Sequence, residues 1–388
     1  MQIAAFKIDV PDADLDDLRR RIRATRWAPL TPAPAWQQGT DSAWLRELAH
    51  YWSDVFDWRA AERRLNRQPQ FLADVNGQRV HFVHRRGVGP APYPLVITHG
   101  WPGSFFEFHD LIERLADPAA FGGDPADAFD VVVPSLPGFG FSPAPSAAGI
   151  SAHQVADLWT ALMHGLGYER FGAQGGDIGS GVSAALAARH ADVVDGIHLN
   201  YVPGTYEPAV TAAQQPLTPE EEKFLQEKNE WFAQEGAYGH MHSTKPATLA
   251  ASLNDSPVGL AAWIAEKFRS WSDCGGDVER VFSKDDLLTN ISIYWHTQSI
   301  GPSTQMYWEN RLQPMSFAGR ERVVPPVGFA HFPHELSHPP RSWLERTFNV
   351  VQWTEMPRGG HFAAMEQPEL LAHEIRTFFR GVRGASRV

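Results

Sequence analysis

One acidic residue stands in a turn of small residues, Gly175-Gly176-Asp177-Ile178-Gly179, with Gly181 just beyond. A short strand-like run precedes it, and an alanine-rich helical stretch from Val182 to His190 follows. This pattern matches a nucleophile elbow, a tight strand-to-helix turn that holds one side chain exposed at the top of a sheet. Small residues are needed there because the turn strains the backbone and a neighbouring strand passes close. With Asp at the centre, the chemistry is attack by a carboxylate, which leaves an ester on the residue's own carbonyl. On its own the turn suits equally an Asp that caps the following helix.

An aspartyl ester must be hydrolysed in a second step, and that step specifies further groups. It needs a His to activate water, an acid to hold the His, and backbone donors for the tetrahedral oxyanion. Arg358-Gly359-Gly360-His361-Phe362 follows a strand pattern and supplies His361. Glu335 follows an earlier strand pattern, with Glu309 and Glu355 as competing acids. The order nucleophile, acid, histidine is that of the α/β-hydrolase fold. The amides of Trp101 and Ile178 are the expected oxyanion donors, and Pro102 bends the first of these loops toward the site.

The elements that must position these groups follow from the change in hydrophobic period. Residues 1–70 read as a Trp-rich helical region. Leu15, Leu18 and Ile22 lie at helical spacing, and so do Trp44, Leu45, Leu48 and Trp52, as a packing face. Residues 71–202 alternate strands and helices, beginning with two strands around Asn76-Gly77, a hairpin signal. Later strands end in His99-Gly100-Trp101-Pro102-Gly103 and near Pro137-Gly138. Such alternation predicts an α/β fold with a mainly parallel sheet. Residues 203–318 are helical in pieces and read as a lid over the strands' carboxyl ends. Residues 319–388 return to the core.

These strings resemble epoxide hydrolases of the microsomal and juvenile-hormone type over nearly the whole chain. The resemblance is carried by His99-Gly100-Trp101-Pro102-Gly103, Gly176-Asp177, Asn254 to Leu260, Asp285 to Asn290, and Arg358 to Ala364. It implies that the acid is the Glu of Phe332-Pro333-His334-Glu335. It also implies two lid phenols, Tyr238 before Thr244-Lys245-Pro246 and Tyr307 in Tyr307-Trp308-Glu309-Asn310. An epoxide oxygen leaves poorly unless it is hydrogen-bonded or protonated, and a phenol can do both. Trp101, Pro102 and Phe362 are expected to line the substrate pocket. The chain departs from the family in Ile178 where Trp is common and in the histidines of Tyr238-Gly239-His240-Met241-His242, and the membrane type's apolar anchor is not expected here. The implied activity is conversion of an apolar epoxide to a vicinal diol, with water and no cofactor.

Two rival chemistries remain. A haloalkane dehalogenase shares the Asp nucleophile and His base, but a halide needs no proton, so that site wants indole or amide N–H donors. His334-Glu335-Leu336-Ser337-His338 fits the zinc-protease pattern, which requires a helix to bring both His to one face. Pro333 before it and Pro339-Pro340 after it leave barely one turn, and no further ligand is evident.

Composition narrows the class. Of 388 residues, 34 are Lys or Arg and 45 Asp or Glu, a formal charge of −11 that disfavours nucleic acid and anionic membranes as partners. Cys274 is the only cysteine, so no intrachain disulfide or thiolate zinc cluster can form. The N-terminal stretch lacks a signal-peptide run, and no apolar stretch is long enough to span a bilayer. A cytoplasmic protein is expected, and the sequence leaves a homo-oligomer open.

Overall fold

The computed structural model describes residues 1–202, 206–209, 216–318 and 322–385. The lid boundaries expected at 203 and 319 lie outside them. Among the described residues a nine-stranded sheet runs in the order β1-β2-β3-β5-β4-β6-β7-β8-β9. The strands are β1 (Ile3–Phe6), β2 (Gln70–Val75), β3 (Gln78–Arg85), β4 (Tyr93–Thr98), β5 (Phe129–Pro134), β6 (Phe171–Gly175), β7 (Val194–Leu199), β8 (Val323–His331) and β9 (Phe348–Glu355). From β5 to β9 all neighbours are parallel, and β1, β2 and β3 add an antiparallel edge. This is the α/β-hydrolase arrangement. β5 is buried at every residue, as expected of a β-branched strand covered by helices on both faces. Asn76 and Gly77, both at positive φ, close the β2–β3 hairpin. β1 lies in the stretch read as helical: four residues pairing with β2 are too few to show a period in sequence.

The lid is a set of helices between β7 and β8, among them Pro219–Glu235, Ala237–Thr244, Pro257–Trp271, Lys284–Thr297 and Ile300–Leu312. The N-terminal helices brace it from behind. Trp52 Nε1 donates to Ser292 Oγ (3.0 Å), Tyr51 to Asp285 (2.9 Å) and Arg64 to Asp286 (2.6 Å). Thus the Trp-rich stripe and the Asp285–Asn290 string meet each other. Below the lid, Arg346 and Glu221, almost fully buried, form a bidentate pair (2.6 and 2.8 Å) that fixes helix Pro219–Glu235 to the core. No described helix is long and apolar enough to cross a membrane.

Candidate active site

Asp177 opens helix Asp177–Arg189 directly after β6, at φ 47°. That left-handed conformation costs a non-glycine residue roughly 1–2 kcal/mol and persists because its surroundings enforce it. A Cβ on Gly179 would stand 1.9 Å from the Thr98 carbonyl oxygen of β4, and one on Gly100 would stand 2.1 Å from Asp177 Oδ1. Only backbone fits at both places. The carboxyl group is therefore pressed against the loop that follows β4. There Trp101 N–H donates to Asp177 Oδ1 at 2.8 Å. The Ile178 amide lies in the helix's opening turn, ahead of the first intrahelical bond, from Ser180 N to Gly176 O. It is thus one of the donors a helix start leaves open.

Lid and core together hold that loop. The Trp101–Pro102 peptide is cis. Asn290 Nδ2 donates to Pro102 O (2.7 Å) and Tyr294 donates to Gly103 O (2.8 Å), both from one face of Lys284–Thr297. His99 lies wholly inside, where burial lowers its pKa to about 4. Its neutral ring accepts from Leu136 N (3.2 Å) and donates to Gly100 O (3.1 Å).

His361 Nε2 lies 3.4 Å from Asp177 Oδ2, and His361 Nδ1 lies 2.6 Å from Glu335 Oε1. His361 is 3% and Asp177 15% exposed at the side chain, so this charge cluster is shielded from bulk solvent. Burial disfavours a charged imidazole, but the charges and hydrogen bonds of Glu335 and Asp177 outweigh it and hold His361 well above its ordinary pKa. The competing acids go elsewhere. Glu355 takes His331 and the Trp353 indole, and Glu309 sits on lid helix Ile300–Leu312 beyond Tyr307.

Tyr238 and Tyr307 come from two lid helices and share a side-chain hydrogen bond. Tyr238 stacks on the Trp101 indole (centroids 5.5 Å, 14°), and Tyr307 meets the same ring edge-on (6.2 Å). Burial first, then Asp177 for Tyr238 and the neighbouring Tyr238 and Asp177 for Tyr307, raise both phenols far above their ordinary pKa, so both remain protonated donors. His242, one turn after Tyr238, is buried and neutral. Its Nε2 accepts from the Trp263 indole (3.1 Å) and its ring packs on Trp101 and Tyr307. Phe362 is packed rather than open: its ring stacks on Phe268 at 4.1 Å and touches Trp271 and His361.

Sequence reasoning missed Trp271, whose ring stands edge-on to His361 (5.2 Å) and beside Tyr238 (4.9 Å). Nothing local in the sequence sets it apart from the other aromatics of residues 203–318. The zinc pattern disperses. His334 to His338 is not helical, His334 pairs with Asp273 (3.1 Å), and His338 with His331 (3.0 Å). No cluster of potential metal ligands occurs among the described residues.

Known proteins share this architecture. The family model for the epoxide hydrolase N terminus matches residues 3–108, and that for the alpha/beta hydrolase fold matches residues 93–265. A putative epoxide hydrolase of Stigmatella aurantiaca is 44% identical over 98% of this chain and 86% of its own. Epoxide hydrolase 1 of Oryctolagus cuniculus is 38% identical over 97% and 88%. Among solved structures, Aspergillus niger epoxide hydrolase superposes with a TM-score of 0.84 at 33% identity, covering 98% of this chain and 97% of that one. The juvenile hormone epoxide hydrolase of Bombyx mori gives 0.87 at 29%, covering 99% and 96%. With the elbow, the lid and full-length similarity in agreement, the chain belongs to the epoxide hydrolase family.

Proposed function

We propose that the protein hydrolyses an apolar epoxide to a vicinal diol through an ester on Asp177. The carrying observation is the division of labour between the two carboxylate oxygens. Oδ1 is held by the Trp101 amide, while Oδ2 faces His361 and takes no backbone donor among the described residues. Oδ2 attacks a ring carbon, the C–O bond opens, and Tyr238 and Tyr307 hydrogen-bond the departing oxygen. The cage of Trp101, Tyr238, Trp271 and Tyr307 favours an apolar substrate.

Ester formation removes the charge of Asp177, one of the two carboxylates that keep His361 protonated. Its pKa falls, and the proton it releases neutralises the new alkoxide. Neutral His361, held by Glu335, then takes a proton from water as that water attacks the ester carbonyl. The oxyanion at Oδ1 is stabilised by the amides of Trp101 and Ile178. Collapse expels the diol oxygen, which takes the proton of His361, and the proton of the re-formed carboxyl returns to His361. The resting ion pair is restored with every proton accounted for. The single cysteine is in keeping with a cytoplasmic setting.

The test is a matched pair of substrates, an aryl epoxide and the corresponding haloalkane, assayed for diol and for released halide. Diol from the epoxide with no halide release is expected. Halide release with no diol would assign the chain to dehalogenation.

A further inference from the structure

Besides Glu335, a second acidic side chain, Glu366, contacts the loop that carries His361. The four consecutive amides around His361 are all engaged. Gly359 N–H donates to Asp273 Oδ2 (2.9 Å), Gly360 N–H to Glu366 Oε2 (3.0 Å), His361 N–H to Trp271 O (3.0 Å) and Phe362 N–H to Glu366 Oε1 (2.9 Å). Glu366 Oε2 also accepts from Asp273 N–H (2.8 Å). One carboxyl group therefore grips the backbone on both sides of His361. The same group ties that loop to the end of lid helix Pro257–Trp271. Gly360 leaves no room for a looser arrangement: a Cβ there would meet Trp271 O at 2.8 Å and Asp273 N at 3.0 Å.

We infer that Glu366 is a positioning residue for the hydrolytic half of the reaction, fixing His361 against Glu335 and coupling it to the closed lid. This rests on the reading that His361 drives hydrolysis of an Asp177 ester. Attack by Asp177 on the epoxide does not use this clamp, because Trp101 and the two phenols serve that step from other elements. The water-activating step does, since the imidazole must stay 2.6 Å from Glu335 Oε1 while it meets water beside Asp177. A displacement of about 1 Å in such a group costs about 10²-fold in rate.

The experiment follows the ester in single turnover. Excess enzyme is mixed with styrene oxide, quenched in acid, and the intact-protein mass gives the rates at which the adduct forms and decays. Glu366→Ala removes both acceptors. Glu366→Gln keeps the shape but offers one acceptor oxygen where three amides converge. Adduct formation within twofold of wild type is expected in both variants and shows that the site is folded. Decay should slow by about 10²-fold in Glu366→Ala and by less in Glu366→Gln. Decay within twofold of wild type in a folded variant overturns the inference. Equal loss of both rates, including misfolding of both variants, makes Glu366 an element of the fold only and also overturns it. Absence of adduct in wild type and in His361→Gln would instead refute the ester pathway, and the role of Glu366 with it.

Discussion

Replacing the lid phenols separates the first chemical step from the second. Each phenol would donate to an oxygen that becomes an alkoxide as the ring opens. A hydrogen bond to a charged group contributes roughly 1.5–3 kcal/mol, or about 10- to 150-fold in rate. Tyr238 and Tyr307 hydrogen-bond each other in the resting site, so removing one frees the other for the substrate. Tyr238→Phe and Tyr307→Phe should therefore each slow alkylation by roughly tenfold, at the low end of that range. The double variant should lose more than the product of the two, because no phenol then hydrogen-bonds the leaving oxygen as the ring opens. Ester hydrolysis should hold within about threefold in all three, as it uses His361, Glu335 and the Trp101 amide. Stopped-flow fluorescence follows alkylation directly, since Trp101 and Trp271 pack against Tyr238. An unchanged alkylation rate in the double variant, or loss confined to hydrolysis, would refute this assignment of the phenols.

Three further outcomes follow. Asp177→Asn, which mimics the neutral ester, should lower the pKa of His361. The raised value in the resting enzyme means that wild type keeps this proton above pH 6.5 and the variant sheds it at lower pH; equal imidazole titrations by NMR would contradict the proton cycle. Gly100→Ala places a methyl 2.1 Å from Asp177 Oδ1; it should abolish adduct formation in a chain with native circular dichroism, and normal alkylation would show that the loop has slack. Glu221→Ala leaves Arg346 buried without its carboxylate, so urea denaturation should show a loss of about 3–5 kcal/mol, with Glu221→Met/Arg346→Leu regaining most of it. A loss under 1 kcal/mol would mean the pair is not what holds the lid helix.

Some of this was legible in the chain because its determinants are local. The elbow needs small residues within four positions of Asp177, and the β2–β3 turn needs Asn76-Gly77, so each carries its signature in a few letters. The failure of the zinc pattern was legible for the same reason, from the prolines beside it. β1 was not, because a four-residue edge strand takes its identity from its pairing with β2. Glu335 could not be separated from Glu309 and Glu355 by spacing alone, since the contact with His361 spans 26 residues and joins the loops that follow β8 and β9. The clamp on the histidine loop is more hidden still. Asp273 reaches Gly359 across 86 residues and Glu366 across 93, and no periodicity records a contact made by a lid folding back on its core.

The most direct test of the ester on Asp177 is a single turnover in water enriched in heavy oxygen, with enzyme in excess over epoxide. One diol oxygen comes from the epoxide and the other from the Asp177 carboxylate, so the first diol should carry no label. The label should appear in the peptide containing Asp177. A first diol that carries one heavy oxygen, with an unlabelled Asp177 peptide, would mean that water attacks the ring directly and that Asp177 is not the nucleophile.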